Sequence, residues 1–294
     1  MKKVFFLFVV ALVMLACGQQ DNKNQEQPEE KKVIVPPGIP VAPMQISPTI
    51  ELGNLQNNPQ EPVLNIEDGK PIDLSQMMGQ RKTLEEQVKE HIDTIRYQAE
   101  QGNADYQYLY GTSFENGWGV ESDMNQAMKW YKKAADQKQK LSFNAIGNFY
   151  RQGKSVTQNV EEAFKWYQKG AEAGDAQAML NVGNCYYFGM GTEKDLARAV
   201  KWWKDAADNK NAYALSQMGD CYSYGLGVEK DLTKAVENYA QAAEKNIPSA
   251  QYRLGILYYT GEGVQQDQTY AKLLMQKARD GGMREAQDFL DKNF

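Results

Sequence analysis

The chain of 294 residues is short of histidine and, past its first quarter, of proline. Its single histidine, His91, excludes a multi-histidine metal site and leaves any Ser-His-Asp or Cys-His arrangement dependent on one residue. An excess of positive charge is also missing: 33 Lys and Arg stand against 38 Asp and Glu, for a formal net charge of -5. The two signs are interspersed, so no basic field exists for a polyanion and nucleic acid is not an expected partner. With 38 acidic residues some pair approaches by chance, so no catalytic carboxylates are assigned. Tryptophan and tyrosine are absent before residue 97, whereas nine of the ten prolines precede residue 72. The chain therefore reads as a tail followed by a folded body, and its 42% apolar residues suffice for a sizeable core.

The tail begins MKKVFFLFVVALVMLAC, with Lys2 and Lys3 ahead of thirteen apolar residues, Val4 to Ala16. A membrane-spanning helix needs about 20 such residues, so this run suits the hydrophobic region of a secretion signal, residues 1–16. Met14-Leu15-Ala16-Cys17 resembles the lipobox of bacterial lipoproteins, in which a small residue precedes a cysteine that receives lipid. Leu15 stands where that family prefers a small residue, and Met14 where it prefers leucine. The resemblance implies lipidation at Cys17 and membrane anchoring of a lipoprotein facing the periplasm or exterior; the alternative is an ordinary signal peptide with an incidental cysteine. Residues 17–80 are first strongly polar and then so rich in proline that neither helix nor central strand runs through them. They read as a tether with a reach on the order of 45 Å.

The body is periodic. Gly111, Gly147, Gly183, Gly219 and Gly255 each follow the last by 36 residues. Three positions after each stand Phe114, Tyr150, Tyr186, Tyr222 and Tyr258. Six after stand Gly117, Gly153, Gly189, Gly225 and Gly261, and eight after Gly119, Ser155, Gly191, Gly227 and Gly263. Asp123, Asn159, Asp195, Asp231 and Asp267 follow at twelve, and Ala127, Ala163, Ala199, Ala235 and Ala271 at sixteen. A phosphate-binding loop needs one glycine turn after a strand; five evenly spaced copies argue for architecture instead.

Each copy predicts two helices. In helix A, for example 176–188, Ala178, Val182, Cys185 and Tyr186 share one face. The central glycine lets a neighbouring helix approach, the paired glycines end the helix, and the Asp or Asn caps helix B, with Gln126 and Glu162 in capping-box positions. In helix B, Ala127, Tyr131 and Ala134 form the packing stripe. Burial of Tyr150 and Tyr222 predicts a cost of about 3 to 5 kcal/mol on truncation to alanine.

This pattern resembles the Sel-one-like repeat, a relative of the tetratricopeptide repeat, across residues 104–283: 104–139, 140–175, 176–211, 212–247 and 248–283. The resemblance implies an all-α, right-handed α-solenoid of helix-turn-helix repeats. Repeat two departs at Ser155, repeat three at Thr192, and repeat five at Leu274 and Met275 in place of Trp-Tyr, which predicts looser packing of its outer helix. Residues 81–103, with Leu84, Val88, Ile92, Ile95 and Ala99 on one face, read as an N-terminal capping helix. Residues 284–294 place Ala286, Leu290 and Phe294 as a sixth helix A would, and read as a C-terminal cap.

Cys185 and Cys221 occupy one repeat position in adjacent copies. Neighbouring helices lie about 8 to 10 Å apart, beyond the roughly 7 Å Cα limit of a disulfide, which favours two buried thiols. His91 lies beside the apolar face of the N-terminal cap, a half-buried histidine with its hydrogen bonds made rather than a base.

In tetratricopeptide-like solenoids helix A lines the concave face. The resemblance places residues three before, one after and four or five after the central glycine on an exposed stripe there. These are Tyr108, Thr112, Glu115 and Asn116; Asn144, Asn148, Arg151 and Gln152; Leu180, Asn184, Tyr187 and Phe188; Ser216, Asp220, Ser223 and Tyr224; and Tyr252, Ile256, Tyr259 and Thr260. Aromatic rings interleaved with amides and hydroxyls suit an extended peptide or a glycan. The expectation is a monomeric, non-enzymatic interaction scaffold of the bacterial cell envelope that binds a protein or peptide there without cofactor or metal. A reading of another class is binding, or hydrolysis, of peptidoglycan-derived or β-lactam-like ligands, to which some cysteine-rich relatives have been linked.

Overall fold

The structure, a computed structural model, describes residues 83–294. The secretion signal, Cys17 and the tether lie outside the described residues. Thirteen α-helices follow one another, with no strand among the described residues, and each packs against its neighbours in the chain. The fold is an all-α solenoid.

The single N-terminal helix expected over 81–103 is instead two over its described residues, α1 (Leu84–Glu90) and α2 (Ile92–Glu100). The break falls at His91, whose backbone lies at φ -111°, ψ 18°. Its ring Nδ1 stands 2.9 Å from the Gln87 carbonyl oxygen. The His91 backbone N–H donates to that same oxygen. At the break, ring and backbone of His91 thus share one carbonyl. Thr83 and Glu86 form a reciprocal capping box ahead of α1. The predicted face survives the break: Val88, Ile95 and Ala99 are buried, with Ile92 packed beside them.

The five A helices are α3 (Ala104–Asn116), α5 (Lys140–Gln152), α7 (Ala176–Phe188), α9 (Ala212–Tyr224) and α11 (Pro248–Thr260). Their B partners are α4 (Met124–Asp136), α6 (Val160–Glu172), α8 (Leu196–Asp208), α10 (Leu232–Glu244) and α12 (Gln268–Asp280), and α13 (Arg284–Asn293) closes the series. The expected caps form: Asp123, Asn159, Asp195, Asp231 and Asp267 each accept from backbone amides in the first turn of their B helix. Each A helix ends on a glycine in the left-handed region, at φ between 69° and 77°.

Four of the five central glycines make room for a ring. An added Cβ at Gly183 would stand 2.4 Å from the Trp203 ring, and at Gly147 2.5 Å from that of Tyr167. Tyr131 and Tyr239 lie in the same way over Gly111 and Gly219. These four rings, each 1% exposed, are among the largest fully buried side chains. Tyr150 and Tyr222 are only half-buried, so the predicted truncation cost belongs to Tyr131, Tyr167 and Tyr239. Repeat five is not loose either. Leu274 and Met275 are buried, and the Met275 methyl sits where a Cβ on Gly255 would be 3.0 Å away. In α13, Ala286 and Leu290 are buried as expected. Phe294 is 42% exposed, because it lies past the last helical turn, edge-on to Tyr259 with centroids 5.6 Å apart.

Candidate partner-binding face

The structure divides the expected helix-A stripe into three layers. The first, three residues before each central glycine, is closed. Tyr108, Asn144, Leu180 and Ser216 are buried, and Tyr252 is half-buried. Tyr108 packs its ring against Tyr131 at 5.6 Å. Asn144 Oδ1 accepts from Asn181 Nδ2 at 2.8 Å, joining α5 to α7. Tyr252 meets Phe289 of α13 edge-on at 6.4 Å. Tyr108 and Asn144 are therefore braces, and their expected exposure is corrected: neighbouring helices cover this row, α4 over Tyr108 and α7 beside Asn144.

The second layer, one residue after the glycine, is bonded to the ring that crosses the glycine. The Tyr131 hydroxyl lies 3.2 Å from Thr112 Oγ1, and Thr112 is itself buried rather than exposed. The Tyr167 hydroxyl donates to Asn148 Oδ1 at 2.8 Å, and the Trp203 Nε1–H to Asn184 Oδ1 at 3.0 Å. The Tyr239 hydroxyl donates to Asp220 Oδ1 at 2.5 Å. Repeat five replaces donor and acceptor together, with Met275 and Ile256. A buried donor without an acceptor costs more than an apolar pair, so the two positions change as a unit. That pairing, twenty residues after the glycine against one after, was present in the sequence as co-varying residue types.

The polar second layer alters the groups it contains. Burial raises the tyrosine hydroxyls of Tyr131, Tyr167 and Tyr239 well above their usual range. Burial also lifts the Asp220 carboxyl, against the pull of Arg253 and of the Tyr239 hydroxyl. Arg253 Nε stands 2.8 Å from Asp220 Oδ1, and its Nη1 donates to the Tyr224 hydroxyl at 2.9 Å, tying repeat five to repeat four.

The third layer, four and five residues after the glycine, meets solvent. Arg151 is half-buried and its Nε donates to the Tyr167 hydroxyl at 3.2 Å. Tyr187 packs its ring on Trp203 at 5.3 Å and on Phe188 at 5.0 Å, and Lys194 lies 5.5 Å above it. Phe188 is 43% exposed. Tyr259 is half-buried beside Phe289 at 5.2 Å, and its hydroxyl lies 3.3 Å from Asn293 Oδ1. In repeat one Glu115 takes this place. It accepts from the Tyr131 hydroxyl at 2.7 Å and pairs with Lys154 at 3.1 Å. The outer row is thus charged and polar in repeats one and two and aromatic in repeats three to five.

Other chemistry-bearing residues are structural here. Cys185 and Cys221 are free and buried, and burial pushes both thiols up to about 12. His91 is half-buried and bonded to Gln87, beside the hinge between α1 and α2. No cluster of His, Cys, Asp or Glu suited to a metal ion occurs among the described residues. No helix among them is long and apolar enough to cross a membrane.

The Sel1 repeat model matches residues 104–138, 144–175, 176–211, 212–247 and 248–283, more than half of the chain. The chain belongs to the Sel1 repeat family. A Sel1 repeat protein from Oxalobacter formigenes is 32% identical, with a TM-score of 0.63 over 68% of this chain and 82% of that one. A protective antigen of uropathogenic Escherichia coli with the same repeat fold is also 32% identical, with a TM-score of 0.61 over 73% of this chain and 45% of that one. An immunity protein from Pseudomonas aeruginosa, 18% identical at a TM-score of 0.50 over 70% of this chain and 78% of that one, shares the fold alone. A search of curated proteins returns no match. Sel1 repeats are a protein-interaction type of solenoid, and this Sel1 repeat chain is of that type.

Proposed function

We propose that this Sel1 repeat protein is a monomeric, non-enzymatic scaffold of the bacterial cell envelope that holds a peptide or protein on the third layer of its helix-A face. A lipid on Cys17 would anchor it, and residues 17–80 would carry the repeats away from the membrane. One observation carries the reading of the face. Phe188 is 43% exposed, on a ring base of Tyr187 and Trp203 that the repeat itself rigidifies. A preorganised aromatic side chain in contact with water supplies contact area at little entropic cost, which is how interface anchors work. The envelope assignment rests on the amino-terminal segment of the sequence alone.

Crosslinking in intact cells followed by purification of the full chain tests both halves. The parent is expected to bring down an envelope protein, and Phe188→Ala is expected to lose it while keeping the parent's helical circular dichroism and urea midpoint. Equal capture by the variant would remove the face from consideration. Binding to purified sacculi, with no captured protein, would favour the peptidoglycan reading instead. Metabolic labelling with a radioactive fatty acid, lost in Cys17→Ser, tests the anchor separately.

A further inference from the structure

Repeat five breaks the pattern of its own outer face. Fifteen residues after the central glycine stand Gln126, Glu162, Arg198 and Lys234, and then Tyr270; eighteen after stand Lys129, Lys165, Lys201 and Glu237, and then Leu273. Polar or charged in four copies, both positions turn apolar in the fifth. Both are exposed, Tyr270 at 38% and Leu273 at 44%. Ala271, Leu274, Met275 and Ala278 bury the other side of α12, so Leu273 faces outward. Tyr270 is held edge-on by Tyr258, with ring centroids 4.8 Å apart. Phe294 is exposed as well, and of the five large hydrophobic side chains exposed among the described residues these three fall between residues 270 and 294.

Cations flank this apolar line. α12 carries Lys272, Lys277 and Arg279 against one carboxylate, Asp280. The Lys272 ammonium lies 5.4 Å from the Phe294 ring, and Lys277 stands one turn beyond Leu273. Neither lysine has a carboxylate within 4.0 Å among the described residues, whereas Arg279 is paired with Asp280 at 2.7 Å. Charge and shape together select the occupant. A second copy seated by two-fold symmetry would set cations against cations. A protein partner buries a broad apolar core within a polar rim, and here the apolar contact is one line of side chains. Such a line between basic residues is the profile of a helix lying at an anionic lipid surface, where rings and aliphatic chains enter the headgroup region and lysine stems reach to the phosphates.

We infer that Tyr270, Leu273 and Phe294 form a docking surface by which repeat five settles on an anionic phospholipid bilayer, with Lys272 and Lys277 pairing with headgroup phosphates. This surface is separate from the helix-A face. It rests on the amino-terminal reading only in that a membrane must be within reach, and a flexible tether leaves the repeats free to return to it.

The test uses the full chain with Cys17→Ser, which removes any acyl chain, and with Thr269→Cys labelled by an environment-sensitive dye. Thr269 is exposed one turn before Leu273, and Cys185 and Cys221 are buried, which confines the dye to residue 269. The dye reports only its own surroundings, so contact made by residues 1–80 does not register. Vesicles of phosphatidylcholine with about one third phosphatidylglycerol are expected to shift its emission to the blue, and vesicles of phosphatidylcholine alone are not. Salt raised to about 0.5 M is expected to weaken the shift. Lys272→Gln with Lys277→Gln is expected to raise the half-saturating lipid concentration about tenfold or more, at roughly fivefold for each cation. Tyr270→Gln with Leu273→Lys installs the residue types of Gln126 and Lys129 and adds a positive charge, so attraction by charge alone would tighten binding; loss of the shift is expected instead. Should that variant lose the parent's circular dichroism, Leu273→Lys alone is read in the same way. No shift with anionic vesicles, an equal shift with both kinds, or a shift untouched by Leu273→Lys would overturn the inference. So would a shift that grows with protein concentration without vesicles, which would make the occupant a second copy, or crosslinking of residue 269 to an acidic protein with no vesicle shift. If fatty-acid labelling of the parent fails while the shift appears, the anchor at Cys17 falls and this surface stands.

Discussion

Every repeat turns twice, and the two turns use the left-handed region for different reasons. At the turn from helix B back to helix A, the left-handed residue recurs each 36 positions as Gly102, Lys138, Gly174, Lys210, Asn246 and Gly282. A Cβ on Gly102, Gly174 or Gly282 would meet nothing within 4 Å. At the turn from helix A to helix B, the second loop glycine is crowded. A Cβ on Gly191 would lie 2.2 Å from the Val160 carbonyl oxygen, on Gly263 2.6 Å from Leu232, and on Gly227 2.9 Å from Val200. All three contacts are to the B helix of the preceding repeat. The first turn asks only for a positive φ, which Lys and Asn supply at some strain. The second asks for a positive φ and for room, because there one repeat rests on another. Glycine is therefore dispensable at one turn and required at most copies of the other.

The largest expected effect tests the crowded turn. Gly191→Ala adds a methyl against backbone that cannot step aside, and places a Cβ in the left-handed region as well. Overpacking costs about 1 to 3 kcal/mol and the backbone strain about 1 to 2 kcal/mol, so the variant should lose roughly 2 to 5 kcal/mol. Urea unfolding followed by circular dichroism measures it, and a midpoint within error of the parent would show that the repeats do not seat on one another at Val160. Ser155 is the apparent exception. It holds φ 60° with a side chain, and its Oγ lies 2.6 Å from Asn125 Oδ1 of the preceding B helix. There the seat is a hydrogen bond rather than a close backbone contact, so Ser155→Gly should change stability by less than about 1 kcal/mol, the strain relieved offsetting the bond lost.

An intermediate effect separates strain from crowding. Gly174→Ala meets the same backbone constraint as Gly191→Ala but no neighbour, so it should cost about 1 to 2 kcal/mol. The difference between the two alanine variants, in the same urea titration, is the cost of crowding the seat between repeats. Equal losses would mean that φ alone governs both turns.

Much of this architecture was legible in the sequence because a repeat converts one structural solution into five aligned copies. The caps at Asp123 and its equivalents, the left-handed helix ends and the buried alanines of helix B were readable from spacing and residue type. Three features were less so. The side chain over each central glycine stands twenty residues further on, a ring in repeats one to four and Met275 in repeat five, and periodicity alone does not assign it to that glycine. The layer at Tyr108 and Asn144 reads as surface from a helical wheel of one helix. It is closed by neighbouring helices, at Tyr108 by Tyr131 of α4 and at Asn144 by Asn181 of α7, and a wheel contains no neighbour. Conversely, the pairing of Tyr, Tyr, Trp, Tyr and Met with Thr, Asn, Asn, Asp and Ile was visible all along as two columns that change together. Its logic lies in what each donor bonds rather than in what each residue resembles. The break at His91, where ring and backbone share one carbonyl, is announced by no residue pattern.

The smallest effect runs in the opposite direction and is the most discriminating. Lys210 holds φ 65° at a turn where Gly102, Gly174 and Gly282 hold the same region. If that turn demands conformation and nothing else, Lys210→Gly removes strain of about 1 to 2 kcal/mol and adds about 0.5 to 1 kcal/mol of chain entropy to the unfolded state. The net is a gain of roughly 0.5 to 1 kcal/mol, a rise of about 1 to 4 °C in thermal midpoint for a body of this size. Lys138→Gly should match it, since the backbone there is at φ 64°. A loss in both would mean that the lysine stems stabilise the folded turn through packing. The open turn would then resemble the crowded one, with contact in place of clearance deciding the residue.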